Sequence, residues 1–324
     1  MSGNVTGNQT PLIKAQVYSE IMLEQLVAGF LPDVMYRDVS DFGDGDTLNI
    51  PTLGETVIRD YTEDTDVVFD AIDSGSVTLT ITDYVSGASY ITDKLKDDAY
   101  KAAQLEAAIP KQHLRLIKER FETAQLAALN TAQTAASPNN VNGFNRRWVA
   151  SSGSTNGVFT LDDLIYLKLS FDEGNVPEEG RILVVPPVVE ASINKQIAGQ
   201  AYSYNPEFKG IFESGMARMG RFLRSIFGFD IYVSTRVPYK TASEQVAGWS
   251  GTDTLTTSRI CLALCIGDDM TTPLMGAMRR APSTEGSRNA TKKRDEYSTT
   301  ARWGFGAQRT DTLACILVSP TVYV

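Results

Sequence analysis

His113 is the chain's sole histidine, and imidazole is the one side chain that titrates near neutral pH unperturbed, so any acid–base or nucleophilic site would be expected to start there. It lies in KQHLRLIKER, among Lys111, Arg115 and Lys118. No sequence cue ties it to a nucleophile in a Ser-His-Asp or Cys-His set, and its expected role is structural. Cys261 and Cys265 stand four apart on one face of a strand-like run, RICLALCIGDD, and Cys315 lies in TLACILV. Both settings are apolar and lack further soft or imidazole ligands, which predicts buried free thiols and no zinc site. DFGDGDT (residues 41–47) contains a kinase-like tripeptide without the other kinase motifs and lacks the terminal glutamate of a calcium loop, so it reads as a turn. GFGAQR (residues 304–309) is a lone GxG ahead of a strand, unlike a dinucleotide fingerprint. Carboxylates are plentiful, yet no acid, base and nucleophile converge. No catalytic, cofactor-binding or metal-binding residue is expected, and a soluble α/β enzyme such as a hydrolase is the less favoured alternative.

The elements that would position any site follow from composition and pattern. A chain of 324 residues with 42% apolar and 21% charged residues can bury a sizeable core in about two domains. No apolar run is long enough to span a membrane. The start, MSGNVTGNQTPLIKAQ, lacks the basic-then-apolar pattern of a signal peptide, so a cytoplasm-like compartment is expected. A net charge of −9 opposes a free surface that grips nucleic acid. The charge is uneven. Asp60, Glu63, Asp64, Asp66, Asp70 and Asp73 crowd one stretch, while Arg279, Arg280, Arg288, Lys292, Lys293 and Arg294 crowd another. Either run, taken alone, is compatible with a solvated loop.

Along the chain, a polar arm precedes a helix from Pro11 to near Gly29, with Ile13, Val17, Ile21 and Ala28 on one stripe. DTLNIPTLGETVIRDYTED and the long alternation SVTLTITDYVSGASYITD predict an extended hairpin with an acidic tip. Thr92 or Asp93 caps a long helix with Leu114, Ile117, Phe121, Ala124 and Ala128 on a buried stripe, and Pro110 predicts a kink or break. Residues 134–158 read as a connection. Thr160 and Asp163 stand in capping-box spacing, GRILVVPP reads as a buried strand followed by a helix, and FGFDIYVSTRVP and RICLALCIG are strand-like.

This order resembles the major capsid proteins of tailed bacteriophages, whose shell fold is shared with encapsulins and the floor of the herpesvirus capsid. The resemblance rests on SVTLTITDYVSGASYITDKLKDDAYKAAQLEAAI as extended loop and spine helix, VPEEGRILVVPP and FGFDIYVSTRVP as axial strands, and ARWGFGAQRTDTLACILV as closing peripheral strands. It implies an α+β fold with an N-terminal arm and helix (1–35), an extended-loop hairpin (36–92), a peripheral domain with a long spine helix (93–135 and 275–324) and a mixed α/β axial domain (136–274). It implies a structural protein without cofactors that forms hexamers and pentamers in an icosahedral shell around double-stranded DNA. Its location would be the virion, after assembly in the host cytoplasm.

The implied partners are other copies of the chain, portal and scaffolding proteins, a decoration protein, and DNA held weakly by a scatter such as Lys111, Arg115 and Lys118. No membrane is implied. An encapsulin-type cargo shell is the alternative within the fold. The short segment ahead of the hairpin implies a separate scaffold or none, and no lysine is singled out for crosslinking. In such shells the long ribbon lies over the adjacent subunit. The tip at Asp60, Glu63, Asp64, Asp66 and Asp70 is therefore expected to dock near Arg279, Arg280, Arg288, Lys292, Lys293 and Arg294 of a neighbour. Residues from about 76 to 131 are expected to form one strand-to-helix unit over a sheet that includes TLACILV.

Overall fold

The computed structural model describes residues 35–41, 45–54, 56, 58–67, 69, 71–72, 74–99, 102–133, 140–151, 157–199, 222–247 and 252–321. The helix expected from Pro11 lies outside them. The first part builds β1 (Arg37–Asp38), β2 (Thr47–Leu53), β3 (Ser74–Thr80), β4 (Asp83–Thr92), α1 (Asp93–Asp98) and α2 (Ala102–Ala132). β2 and β3 pair antiparallel from Thr47↔Thr80 to Leu53↔Ser74, which forms the expected hairpin.

The long alternation is nevertheless not one ribbon. It breaks at Ile81 and Thr82, and β4 pairs with residues 294–303 of the same chain. Leu79 and Ile81 cause the break, because both insert into a small core with Met275 and Ala277 and so turn the chain from one sheet into the next. β4 then leads into α1, where the Thr92 hydroxyl accepts the Leu95 amide at 3.4 Å. The helix stops at Ala99, which is extended. α2 runs through Pro110 without the break expected there. One missing donor is a local loss, and it is outweighed by the face that buries Ile109, His113 and Ile117.

The remaining elements are β5 (Asn140–Val141), β6 (Phe144–Asn145), β7 (Arg147–Val149), α3 (Leu161–Glu173), β8 (Arg181–Val185), α4 (Pro187–Gly199), β9 (Phe222–Ile226), β10 (Phe229–Val233), β11 (Tyr239–Lys240), β12 (Glu244–Ala247), β13 (Thr252–Leu255), β14 (Ser258–Cys265), β15 (Leu274–Asn289), β16 (Arg294–Ala307) and β17 (Leu313–Val318). A seven-stranded sheet has the order β7-β17-β14-β8-β10-β9, with β11 also on β14. Its β8 and β10 are parallel, so the chain must cross over between them, and α4 lies in that crossover. α3 starts at the predicted capping box: the buried Asp163 carboxylate accepts the Thr160 amide at 2.9 Å and the Ser151 amide at 3.1 Å.

RILVV and LACILV are buried along their whole length because this sheet is covered on both faces. Leu183, Cys261, Ala263, Ala314 and Ile316 pack beneath α3 and α4. Their alternates Ile182, Val184, Leu262, Leu313 and Cys315 pack with Leu126 and Leu129 of α2. The expectation that TLACILV lies in the sheet under the middle of α2 is corrected accordingly. β17 pairs with β14 and β7, and only the C-terminal end of α2 reaches it. An apolar run without polar alternation fits the doubly covered sheet, whereas a sheet with one wet face would expose half of it.

The middle of α2 instead covers a four-stranded sheet of order β1-β15-β16-β4, with Ile117 against Ala301 and Trp303. Phe121 joins this core, while Leu114 is at its rim with 36% exposure. The lone GxG finds its reason here. A Cβ on Gly304 would stand 2.6 Å from the Ile81 Cα and 2.7 Å from the Thr80 carbonyl, so β16 must be bare where the hairpin root crosses it. Gly304→Ala is expected to cost about 1–3 kcal/mol, since backbone atoms cannot swing aside. Thermal melting and hydrogen exchange of residues 79–83 would register it, and wild-type values would refute the close crossing.

Candidate functional site

The groups that could do chemistry are enclosed. His113 is 8% exposed. Its Nε2 shares a hydrogen bond with Ser89 Oγ at 2.8 Å and its Nδ1 one with Thr299 Oγ1 at 3.3 Å. Thr299 in turn meets Thr284 Oγ1 at 2.8 Å. The Ser89–His113 contact has the form of a nucleophile and base, but a hydroxyl stands where an orienting carboxylate would be. The chain of bonds ties α2 across β4, β16 and β15. All three thiols are free and buried. Burial pushes the Cys261 thiol far above its usual range and that of Cys315 up to about 11, so neither supplies a thiolate at neutral pH. Among the described residues no His, Cys, Asp and Glu cluster could hold a metal ion, and no helix is long and apolar enough to cross a membrane.

What the fold does present is a projecting, uncovered hairpin. Ile58 is 95% and Phe69 92% exposed, and Leu53, Tyr61, Val67 and Ile72 are also exposed. Single exposed apolar residues are ordinary, but this grouping on one hairpin marks an interaction surface. Asp60, Glu63, Asp64 and Asp66 are all exposed at its tip, and none forms an ion pair with another described residue. The Thr65 amide donates to the Thr62 carbonyl at 3.3 Å, and Asp64 between them has φ +64°, a left-handed conformation that Asp tolerates in turns. Asp70 and Asp73 lie outside the described residues.

The basic run is a structured hairpin, formed by β15, β16 and the turn between them. Its charges are largely engaged. Arg288 donates to Asp93 at 2.6 Å and to Asp295 at 3.0 Å, and Lys96 donates to Asp295 at 2.5 Å. Arg294 pairs with Glu296 at 2.6 Å and lies 4.3 Å from the Tyr90 ring centroid. The Tyr297 hydroxyl donates to Glu106. Lys292 and Lys293 sit at the turn, while Arg279 and Arg280 lie near the hairpin root. The six residues are therefore spread along the hairpin from its root to its turn. Sequence proximity alone did not show this spread, because an extended strand separates positions that a loop would have kept together.

This network carries a pH signature. Arg288 holds the Asp93 carboxyl below its ordinary 3.8, Lys96 and Arg288 do the same for Asp295, and the Tyr297 hydroxyl holds Glu106 below 4.5. Because the folded values are depressed, the stabilisation is complete above the unfolded values and is lost as the pH falls through the folded ones. Protection of the amides of residues 288–296 against exchange is expected to fall below about pH 4, ahead of β8 and β14. Unchanged protection down to about pH 2 would show that these pairs do not hold the turn.

The family model described as phage capsid protein matches residues 73–318. Among curated proteins none matches. The fold is similar to the capsid structure of the cyanophage P-SCSP1u, with TM-score 0.72, 15% identity, and 98% of this chain and 95% of that chain covered. It is also similar to the capsid of Ralstonia phage GP4, with TM-score 0.62, 12% identity and coverage of 99% and 100%. A structure of Mycobacterium phage Che8 gives TM-score 0.61 at 14% identity, with coverage of 94% and 97%. These likenesses establish the α+β fold of tailed-phage capsids, in which the sealed His113 and thiols are core groups. The chain thus belongs to the phage capsid protein family, which implies a structural, non-enzymatic component of the virion capsid.

Proposed function

We propose that the protein assembles as hexamers and pentamers into an icosahedral shell around packaged double-stranded DNA. The observation that carries this reading is the β2–β3 hairpin, whose apolar residues Ile58 and Phe69 project uncovered from their own chain. A two-stranded ribbon alone in water is at best marginally stable, so a second copy is its natural cover. The domain division 1–35, 36–92, 93–135 with 275–324, and 136–274 is retained, with β17 lent by the peripheral part to the axial sheet. The acidic tip docks on a basic site of a neighbour, where such pairs set register and salt sensitivity more than affinity. Exposed Lys111 and Lys118, with half-buried Arg115, form a thin basic scatter on α2 suited to weak, sequence-independent contact with DNA. Portal, scaffolding and decoration proteins are the further partners, and assembly takes place in the host cytoplasm.

The test is electron microscopy and sedimentation velocity of the purified protein. Closed shells or capsomers are expected. A compact monomer under all conditions would overturn the reading, and tight duplex binding by capsomers at physiological salt would overturn the DNA part.

A further inference from the structure

The basic run is divided by length. From Arg280 to Asn289 the chain is paired strand, and at about 3.3 Å per residue the two ends of the run lie roughly 30 Å apart. One hairpin tip therefore meets either the turn with Lys292 and Lys293 or the root with Arg279 and Arg280. The two sites differ in shape and charge. The turn lies beside Asp93, Asp295 and Glu296, which already engage Arg288 and Arg294. At the root, the pairing of β15 with β16 is irregular between Met278 and Ser283, and such irregularities re-aim side chains. Here Arg279, Arg280 and Arg302 line a cavity of about 490 Å³ with Ile81, Thr82 and Tyr84. Arg280 meets Glu285 at 2.9 Å on an exposed surface, where solvent screens the pair and leaves the pocket basic. Concave walls concentrate the positive potential, and guanidinium forks match carboxylates in pairs.

We propose that this arginine pocket receives the turn Thr62–Thr65 of a second copy, with Glu63 and Asp64 as the entering carboxylates. The assignment rests on the reading that the hairpin covers a neighbouring subunit, and it names the place where the tip lands. Charge selects the occupant: in a chain of net charge −9, the pocket is a basic concavity and the tip is an exposed acidic turn held by its own hydrogen bond. Asp60 and Asp66 flank that turn and steer the approach. Tyr84, itself exposed, forms a wall against which the apolar part of the loop can lie.

The experiment compares Arg280→Glu/Arg302→Glu with Lys292→Glu/Lys293→Glu, using circular dichroism to confirm folding. The pocket reversal is expected to abolish shells, the turn reversal to leave them intact, and Glu63→Lys/Asp64→Lys to restore shells to the pocket reversal. If the pocket reversal does not fold, Arg280→Gln/Arg302→Gln takes its place, with loss of shells still expected. Normal assembly of the folded pocket variants, loss of shells in the turn reversal alone, or failure of the reciprocal rescue overturns the proposal. A wild type that never assembles overturns the underlying shell reading instead. Binding of a duplex oligonucleotide that is lost in Arg302→Glu while shells form normally would reassign the pocket to nucleic acid and also overturn the proposal.

Discussion

Arg147→Met is expected to destabilise the protein by about 3 kcal/mol, while Arg146→Met, one residue earlier, stays within about 1 kcal/mol of wild type. Both guanidinium groups are buried. Arg147 donates to Glu244 at 2.5 and 2.9 Å, to Asn130 Oδ1 at 2.9 Å and to the Gln133 carbonyl at 3.0 Å. It thereby joins the C-terminal end of α2 to β7 and β12. Burial pushes the Glu244 carboxyl up, but hydrogen bonds from Arg147 and Lys240 outweigh this and hold it below its ordinary range. Removing Arg147 leaves a buried carboxylate with only the half-exposed Lys240, which places the cost at the low end of the range for broken buried pairs.

Arg146 is different. It donates to Ser170 Oγ at 3.1 Å and stacks 4.7 Å from the Phe171 centroid, but its Nε and Nη2 find no hydrogen-bond partner among the described residues. Burial pushes its pKa down to about 10. A methionine would retain most of the packing and relieve an uncompensated charge, so the loss of the cation–π contact is offset. Chemical denaturation of both variants and of Arg147→Met/Glu244→Met decides the matter. The double variant should recover much of the loss, and equal penalties for Arg146 and Arg147 would contradict the assignment.

Phe121→Ala should cost about 3 kcal/mol, against less than about 0.5 kcal/mol for Leu116→Ala on the same helix. Phe121 meets Tyr36, Trp303 and Phe305 edge-on, at centroid distances of 5.9, 5.3 and 4.9 Å. It connects the chain just before β1, α2 and β16 in a single aromatic cluster. Because Phe121 is only half-buried, its cost falls at the lower end of the range for aromatic truncation. Leu116 is 50% exposed and has little to lose. The denaturation midpoints should separate at unchanged slope, and similar midpoints for the two variants would mean that the helix packs on a different face.

The helix also shows what a hydrophobic stripe misses. Ile117 and Phe121 were legible as core-facing, and Leu114 was placed deeper than it lies. The polar residues His113, Glu122 and Gln125 are buried on the same helix and Gln133 just past its end, which no apolar periodicity reveals. His113 is satisfied by Ser89 and Thr299, Glu122 by Ser234 and Arg236, and Gln133 by the carbonyls of Thr310 and Leu313. Several of these partners lie more than a hundred positions away along the chain. The candidate interface shows the same division. Its acidic tip was legible as a dense run of one charge, whereas the arginine pocket unites Arg302 with Arg279 and Arg280 through strand pairing.

Features that depend on near neighbours were legible from spacing alone: the caps at Thr92 and Thr160, the buried strand RILVV, the buried thiols, and an order of elements resembling a phage capsid subunit. Backbone geometry sets these over a few residues, so spacing alone reveals them. The break in the alternation of residues 76–92, the sheet that takes β17, and the spread of the basic run along a paired hairpin came instead from long-range contacts. Each of these depends on which distant atoms fill a face or accept a hydrogen bond. The break at Ile81 is the clearest case: Leu79 and Ile81 keep the strand period, yet Met275, Ala277 and the bare backbone of Gly304 turn one apparent ribbon into a hairpin and a separate sheet strand.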